Sequence, residues 1–319
     1  MRNRMLCLAL TLCLLLTACG GSEEDAPKGQ ASLSEKSAEV EEEAVLLTVD
    51  GREVAAWQYL YWLRQSCRTI AAEYAAAGME PDWTQQTENG TLAEYAKAQA
   101  LSDTALYATV ENWAEQYGCT AEGSTGTAED GLTAEQSGKL EQVGLLYGEL
   151  YELFFTQGSV LYPSEEEVAA FAKEDGWAGF RQLRIPFGED REAAQHKAAE
   201  LFARLNAAED AEAEFSALEG GERSGVKTLR LGEGALPLEL EDALAGLEEG
   251  QFSGILEAED GFLLLLRQKP EDTPVREALF DHRLLEAAAA AEIRCTAAYK
   301  ALDVASFWRD IGGGEIQKS

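Results

Sequence analysis

The chain has 319 residues, 46% of them apolar and 8% aromatic, enough for a sizeable core and more than one domain. Its 58 acidic side chains outnumber 26 basic ones, giving a formal charge of −32. That charge repels nucleic acid and anionic head groups, and no basic patch offsets it, so nucleic acid is excluded as a partner.

The N-terminus carries Arg2 and Arg4, then an apolar run from Met5 to Leu16. The run suits a signal-peptide core and is too short for a bilayer span, which takes about 20 residues. It ends in Leu16-Thr17-Ala18-Cys19-Gly20-Gly21. Small residues before a cysteine and glycine after it resemble the lipobox of bacterial lipoproteins. The expectation is export, cleavage after residue 18 and lipid attachment at Cys19, since two or more acyl chains make tethering stable. Residues 19–45 hold eight acids against two lysines and read as a disordered acidic spacer.

Of six cysteines, Cys7 and Cys13 leave with the signal and Cys19 takes lipid. Cys67, Cys119 and Cys295 sit in apolar helical patterns and read as small core residues, not a disulfide framework. With two histidines, His196 and His282, and no CxxC, there is no metal-ligand cluster. No cofactor is expected.

Folding is expected to begin at residue 46, where Asp50-Gly51 between Leu47, Val49 and Val54 signals a tight turn. Leu60, Leu63, Cys67, Ile70 and Tyr74 then step at helical spacing towards a stop at Gly78. Thr91 and Glu94 form a capping box for a helix bearing Leu106, Val110, Trp113 and Tyr117, closed by Gly118. Residues 120–132 read as a loop. A third helix runs from Thr133 to about Gly158, with Val143, Leu146, Tyr147, Leu150 and Phe154 on its apolar face. These segments, 46–160, form a helical domain. The Asn89-Gly90-Thr91 sequon is set aside, because the lipobox indicates a bacterial chain.

From residue 161 the period changes. Ser164 and Glu167 cap a short helix. Leu183, Ile185 and Phe187 alternate with Gln182, Arg184 and Pro186 as a half-buried strand. An Ala-rich helix over 190–206, a glycine-rich stretch with little periodicity over 215–235, a short helix from Leu240 to Leu247 and a buried strand from Phe262 to Leu266 follow. This order makes a small α/β domain over 161–270. After Pro270 and Pro274 a helix is expected from Val275 to Ala301. The segment 271–312 is expected to fold back on the first domain. The fold class is α+β, a helical domain built from both ends of the chain with a small α/β domain inserted.

Several of these stretches together resemble a parvulin-type peptidyl-prolyl isomerase domain. They are Phe180 to Phe187, Phe215-Ser216-Ala217-Leu218, Leu247-Glu248-Glu249-Gly250-Gln251-Phe252-Ser253-Gly254-Ile255 and Asp260-Gly261-Phe262-Leu263-Leu264. The flanks, with Val49-Asp50-Gly51 at their start, resemble the split chaperone domain of extracytoplasmic foldase lipoproteins (PrsA-like) and of the periplasmic chaperone SurA. The resemblance implies a proline-gripping shelf at Leu229, Leu236 and Leu240, with Phe252 behind it. For Leu229 and Leu240 plain core packing is an equal reading. It also implies a polar floor, and here the sequence departs from the family. The two histidine positions fall at Gln182 and Leu263, and the cysteine or aspartate position falls near Glu219, which reads first as a solvated loop acid. His196, between Gln195 and Lys197, reads as solvated and cannot replace them.

Three functions are compatible with these residues. The first is a lipid-anchored foldase or chaperone on the outer face of the cell membrane, binding unfolded or newly exported proteins with weak or no isomerase activity. The second is an active peptidyl-prolyl isomerase, against which the missing histidines count. The third is a ligand-binding or structural lipoprotein. That class usually needs two similar α/β lobes, and here there is one.

Overall fold

The computed structural model describes residues 41–122, 126–128, 131–219 and 225–311. The expected signal segment, Cys19 and most of the expected spacer lie outside them. The chain is α+β and divides into two compact units. Among the described residues, one comprises 41–162 with 281–311, the other 163–280.

The first unit opens with β1 (Val45–Val49) and β2 (Arg52–Ala55), an antiparallel hairpin. Its turn places Asp50 at φ 49° and Gly51 at φ 85°, the left-handed pair such a turn requires. Helix α1 (Ala56–Ala76) follows directly, and the Gln58 side chain accepts from the Ala55 N–H at 2.9 Å. Tyr59, Leu63, Cys67 and Ile70 form its buried stripe. A short hairpin of β3 (Gln86–Thr87) and β4 (Gly90–Thr91) turns at Glu88-Asn89. Helix α2 (Leu92–Tyr117) starts at the expected box: Thr91 Oγ1 accepts from Glu94 N at 3.2 Å, and Glu94 Oε2 accepts from Thr91 N at 2.7 Å. It ends at Gly118, φ 70°. Helix α3 (Ala134–Phe155) repeats the device with Thr133 and Gln136. Helix α2 packs against both α1 and α3.

The second unit begins with α4 (Glu165–Glu174), capped by Ser164 Oγ accepting from Glu167 N at 3.2 Å. Then come β5 (Trp177–Pro186), α5 (Arg191–Ala207), α6 (Ala211–Leu218), β6 (Lys227–Arg230), α7 (Leu238–Ala245), β7 (Leu256–Ala258) and β8 (Gly261–Gln268). The strands make an antiparallel sheet in the order β6-β5-β8-β7. Within the glycine-rich stretch, α6 and β6 are ordered elements that the weak periodicity did not indicate. Asp210 starts α6 by accepting from Ala213 N at 2.9 Å.

Helix α8 (Asp272–Ala290) leads back to the first unit. The single helix expected to residue 301 is broken instead. Residues Ile293–Cys295 form β9, which pairs with β1 to complete a three-stranded sheet β2-β1-β9. Short helices α9 (Ala297–Lys300) and α10 (Val304–Asp310) follow. Edge-on ring pairs tie this return in place, Tyr59 with Tyr299 at 5.1 Å and Trp83 with Trp308 at 5.8 Å. Of Cys67, Cys119 and Cys295 only Cys67 is buried in a helix, and burial pushes its thiol up to about 12. Cys119 follows α2 and Cys295 lies in β9, both half-buried.

Candidate functional site

Strand alternation decides which of the expected residues meet. Along β5, Ala178 and Phe180 join Leu265 and Leu244 in one apolar cluster, with Leu229, Leu231, Leu236, Leu247 and Leu256 around it. Leu183 joins Leu205, Phe215, Leu264 and Leu266 on the opposite face, and Ile185 lies there against Phe262. The register pairs Gln182 with Leu265 and Arg184 with Leu263. Gln182 and Leu263 therefore share the first face, on the two central strands, one diagonal step apart. Leu229 stands across from Ala178 on that face, and Leu236 packs on the same cluster. Leu240 is one turn before Leu244 on α7, so it lies on the same side of the helix.

Two expected members are elsewhere. Glu219 caps the end of α6 and is ion-paired with Arg181, the two side chains only 3% and 7% exposed. Arg181 also donates to Ser216 Oγ at 3.1 Å and lies over the Phe215 ring. Because Arg181 is the immediate neighbour of Gln182, its side chain leaves by the opposite face and takes Glu219 with it. Glu219 is thus a buried partner, not a solvated loop acid, and it is not beside Gln182 and Leu263. Phe252 bridges to Leu266 and packs edge-on to Phe202 at 6.0 Å, again on the opposite face. It does not back the leucine shelf.

Other residues of the site were not expected. Ser253 is buried, and its Oγ accepts from Leu265 N at 2.9 Å while its own N–H donates to Leu265 O at 2.8 Å. The hydroxyl supplies the acceptor that an edge strand lacks at that point in the ladder. Arg267 pairs with Phe180 on the first face and donates to Trp177 O at 3.2 Å. Its Nη1 is buried without a partner among the described residues, and burial lowers its affinity for the proton. The sequence signal for both was the ladder position, visible only with the register.

The first face thus offers one amide, two guanidinium groups, the Lys227 ammonium over the Phe180 ring and a bank of leucines. Gln182 makes no side-chain hydrogen bond among the described residues and is half-buried, so its amide can bond a peptide group. Arg184 reaches outward to Asp260. His196 is exposed on α5 between Ala194 and Ala198, which point into the opposite core.

The second unit is therefore an antiparallel sheet clad by α5 and α6 on one face and α7 on the other. No protein-family model matches the chain, and no curated protein matches it. Among solved structures it is similar to foldase protein PrsA from Streptococcus pneumoniae, at 12% identity over 82% of each chain and a TM-score of 0.27. It is likewise similar to peptidylprolyl isomerase (PrsA) from Bacillus cereus, at 12% identity, 85% and 99% coverage of this chain and that one, and a TM-score of 0.26. The foldase protein (PrsA) from Lactococcus lactis matches at 11% identity, 84% and 99% coverage, and 0.23. Among the described residues no helix is long and apolar enough to cross a membrane.

Proposed function

We propose that this chain is a lipid-tethered extracytoplasmic foldase-type chaperone that binds unfolded exported polypeptides, and that its isomerase-like unit turns X-Pro bonds only weakly. The observation that carries this reading is the sharing of one sheet face by Gln182 and Leu263 beside Leu229, Leu236 and Leu240. Rotation about an X-Pro bond faces a barrier of about 18–20 kcal/mol. A catalyst must grip the proline ring and favour the twisted amide with polar groups aimed at it. The leucines supply the grip. Leu263 has neither donor nor acceptor, so half of the polar floor is missing.

The test is a pair of measurements on the full chain: protease-coupled isomerisation of a proline tetrapeptide, and suppression of aggregation of an unfolded client. Isomerisation is expected at least about tenfold below a histidine-containing parvulin, equivalent to about 1.4 kcal/mol of transition-state stabilisation. Aggregation suppression is expected to persist, because it draws on apolar surface. Gln182→His with Leu263→His should raise the first and leave the second unchanged. A wild-type rate equal to that of an intact parvulin, or a chain that suppresses no aggregation, overturns the proposal. Tethering is tested by Cys19→Ala, which should leave the membrane fraction after a carbonate wash.

A further inference from the structure

The first unit carries a concavity of its own. Gln58 and Trp62 of α1, Thr104, Tyr107 and Glu111 of α2 and Val143 of α3 line a partly enclosed cavity of about 70 Å³. That volume admits a handful of waters, or a charged head on a short methylene stem. The Trp62 and Tyr107 rings lie 4.5 Å apart at 59° and form an aromatic wall.

Most polar groups around the cavity already have partners. Thr104 Oγ1 donates to Ala100 O at 2.7 Å, and Gln58 Oε1 accepts from Ala55 N at 2.9 Å. Gln142 donates to Ala121 O at 3.0 Å. Lys139 also lines the cavity, and its ammonium pairs with Glu135 at 3.1 Å and lies 6.0 Å from the centre of the Trp57 ring. Glu111 is different. It is half-buried and has neither a hydrogen bond nor an ion pair among the described residues. The nearby cation, Arg52, is turned to Asn112 Oδ1 at 2.7 Å and Glu115 at 2.8 Å. Burial raises the Glu111 carboxyl above its usual range, with Arg52 pulling the other way. A desolvated carboxylate beside two π faces is a place where a cation gains twice, from the charge and from the rings.

We infer that this cavity is a binding site for an alkylammonium group, held by Glu111 against the Trp62 and Tyr107 rings. An ammonium brings three donors and no acceptor, matching a carboxylate without a partner. The chain's charge of −32 raises the local concentration of cations and turns away anions. The group can come from a lysine side chain of a polypeptide or from a small amine. All of the lining residues belong to the first unit, so the inference stands apart from the isomerase reading.

The test is calorimetric titration of the full chain with n-butylammonium, with a short unfolded peptide carrying one lysine, and with the same peptide carrying norleucine. The lysine peptide or the amine should bind and the norleucine peptide should not. Glu111→Gln should weaken ammonium binding by about tenfold or more, since a charged hydrogen-bonded pair is lost, while the thermal melt shows the fold intact. Tighter binding of the peptide assigns the site to polypeptide lysines, and equal binding assigns it to small amines. Equal affinity for lysine and norleucine peptides in the wild-type chain overturns the inference, whether or not the variant folds. So does an unchanged affinity in Glu111→Gln, or no binding of either cation.

Discussion

Asp103 lies on α2 with 8% exposure, and its Oδ1 has no hydrogen-bond partner among the described residues. Burial pushes its carboxyl up to about 7. The folded chain therefore keeps this proton at pH values where the unfolded chain, near 4, has released it. Between about pH 4 and pH 7 the unfolded state is favoured progressively, and stability falls as pH rises. Asp103→Asn is expected to raise stability by about 1–3 kcal/mol at pH 8 and by almost nothing at pH 4. Denaturant midpoints at the two pH values check this, and equal gains at both would show that charge is not the cause. Arg181 and Glu219 pose the opposite case. Removing one partner of a buried pair strands the other, so Glu219→Ala should cost about 3–5 kcal/mol. Replacing both together, Arg181→Met with Glu219→Leu, should cost far less, because no buried charge is left without a partner. Chemical denaturation of the two variants separates these outcomes. Similar losses in both would mean that the pair serves packing alone.

Among the elements, the β5–β8 pairing is the most demanding on sequence. A Cβ on Gly179 would lie 2.2 Å from Lys269 O and 2.8 Å from Gln268 O, both backbone atoms of the chain leaving β8. Gly179→Ala must therefore push the strands apart at that end, at a cost of about 1–3 kcal/mol. Faster amide exchange at Arg267 and Gln268 than at Leu264 is the expected signature; uniform protection along β8 would show that the strand pair absorbs the methyl. The run Phe262 to Leu266 and the alternation of Leu183 and Ile185 made both strands legible, because burial of one or both faces writes itself into hydrophobic period. The capping box at Thr91 and Glu94 was legible for an equally local reason. Strand β9 was not. Ala287 to Ala291 carries a helix pattern into it, and its partner β1 lies almost the whole chain away. No local pattern reports a pairing over that distance. The site was half legible for the same reason. The resemblance pointed to Gln182 and Leu263, and the strand register puts the two on one face. It could not place Glu219 and Phe252, whose side of the sheet depends on where α6 ends and on a single bridge to Leu266.

At the scale of the whole molecule the governing quantity is charge. A chain with 58 acids against 26 bases acts on any partner before contact is made. If the chain holds unfolded polypeptides through apolar surface alone, added salt should leave that holding unchanged or strengthen it slightly. If charge steers the encounter, salt should weaken it, and only for one sign of client. The Debye length falls from about 30 Å at 0.01 M salt to about 3 Å at 1 M. Over that range the field of a net −32 collapses from a reach comparable to a domain to little more than one side chain. Suppression of aggregation of a basic unfolded client is therefore expected to fall steeply from low to high salt, through a slower association rate. Suppression for an acidic client of similar apolar content should hold level or improve, since the same screening removes a repulsion. Stopped-flow association with the two clients at the two salt concentrations decides it. Parallel salt responses would mean that the acidic surface keeps the chain soluble and has no part in choosing what it binds.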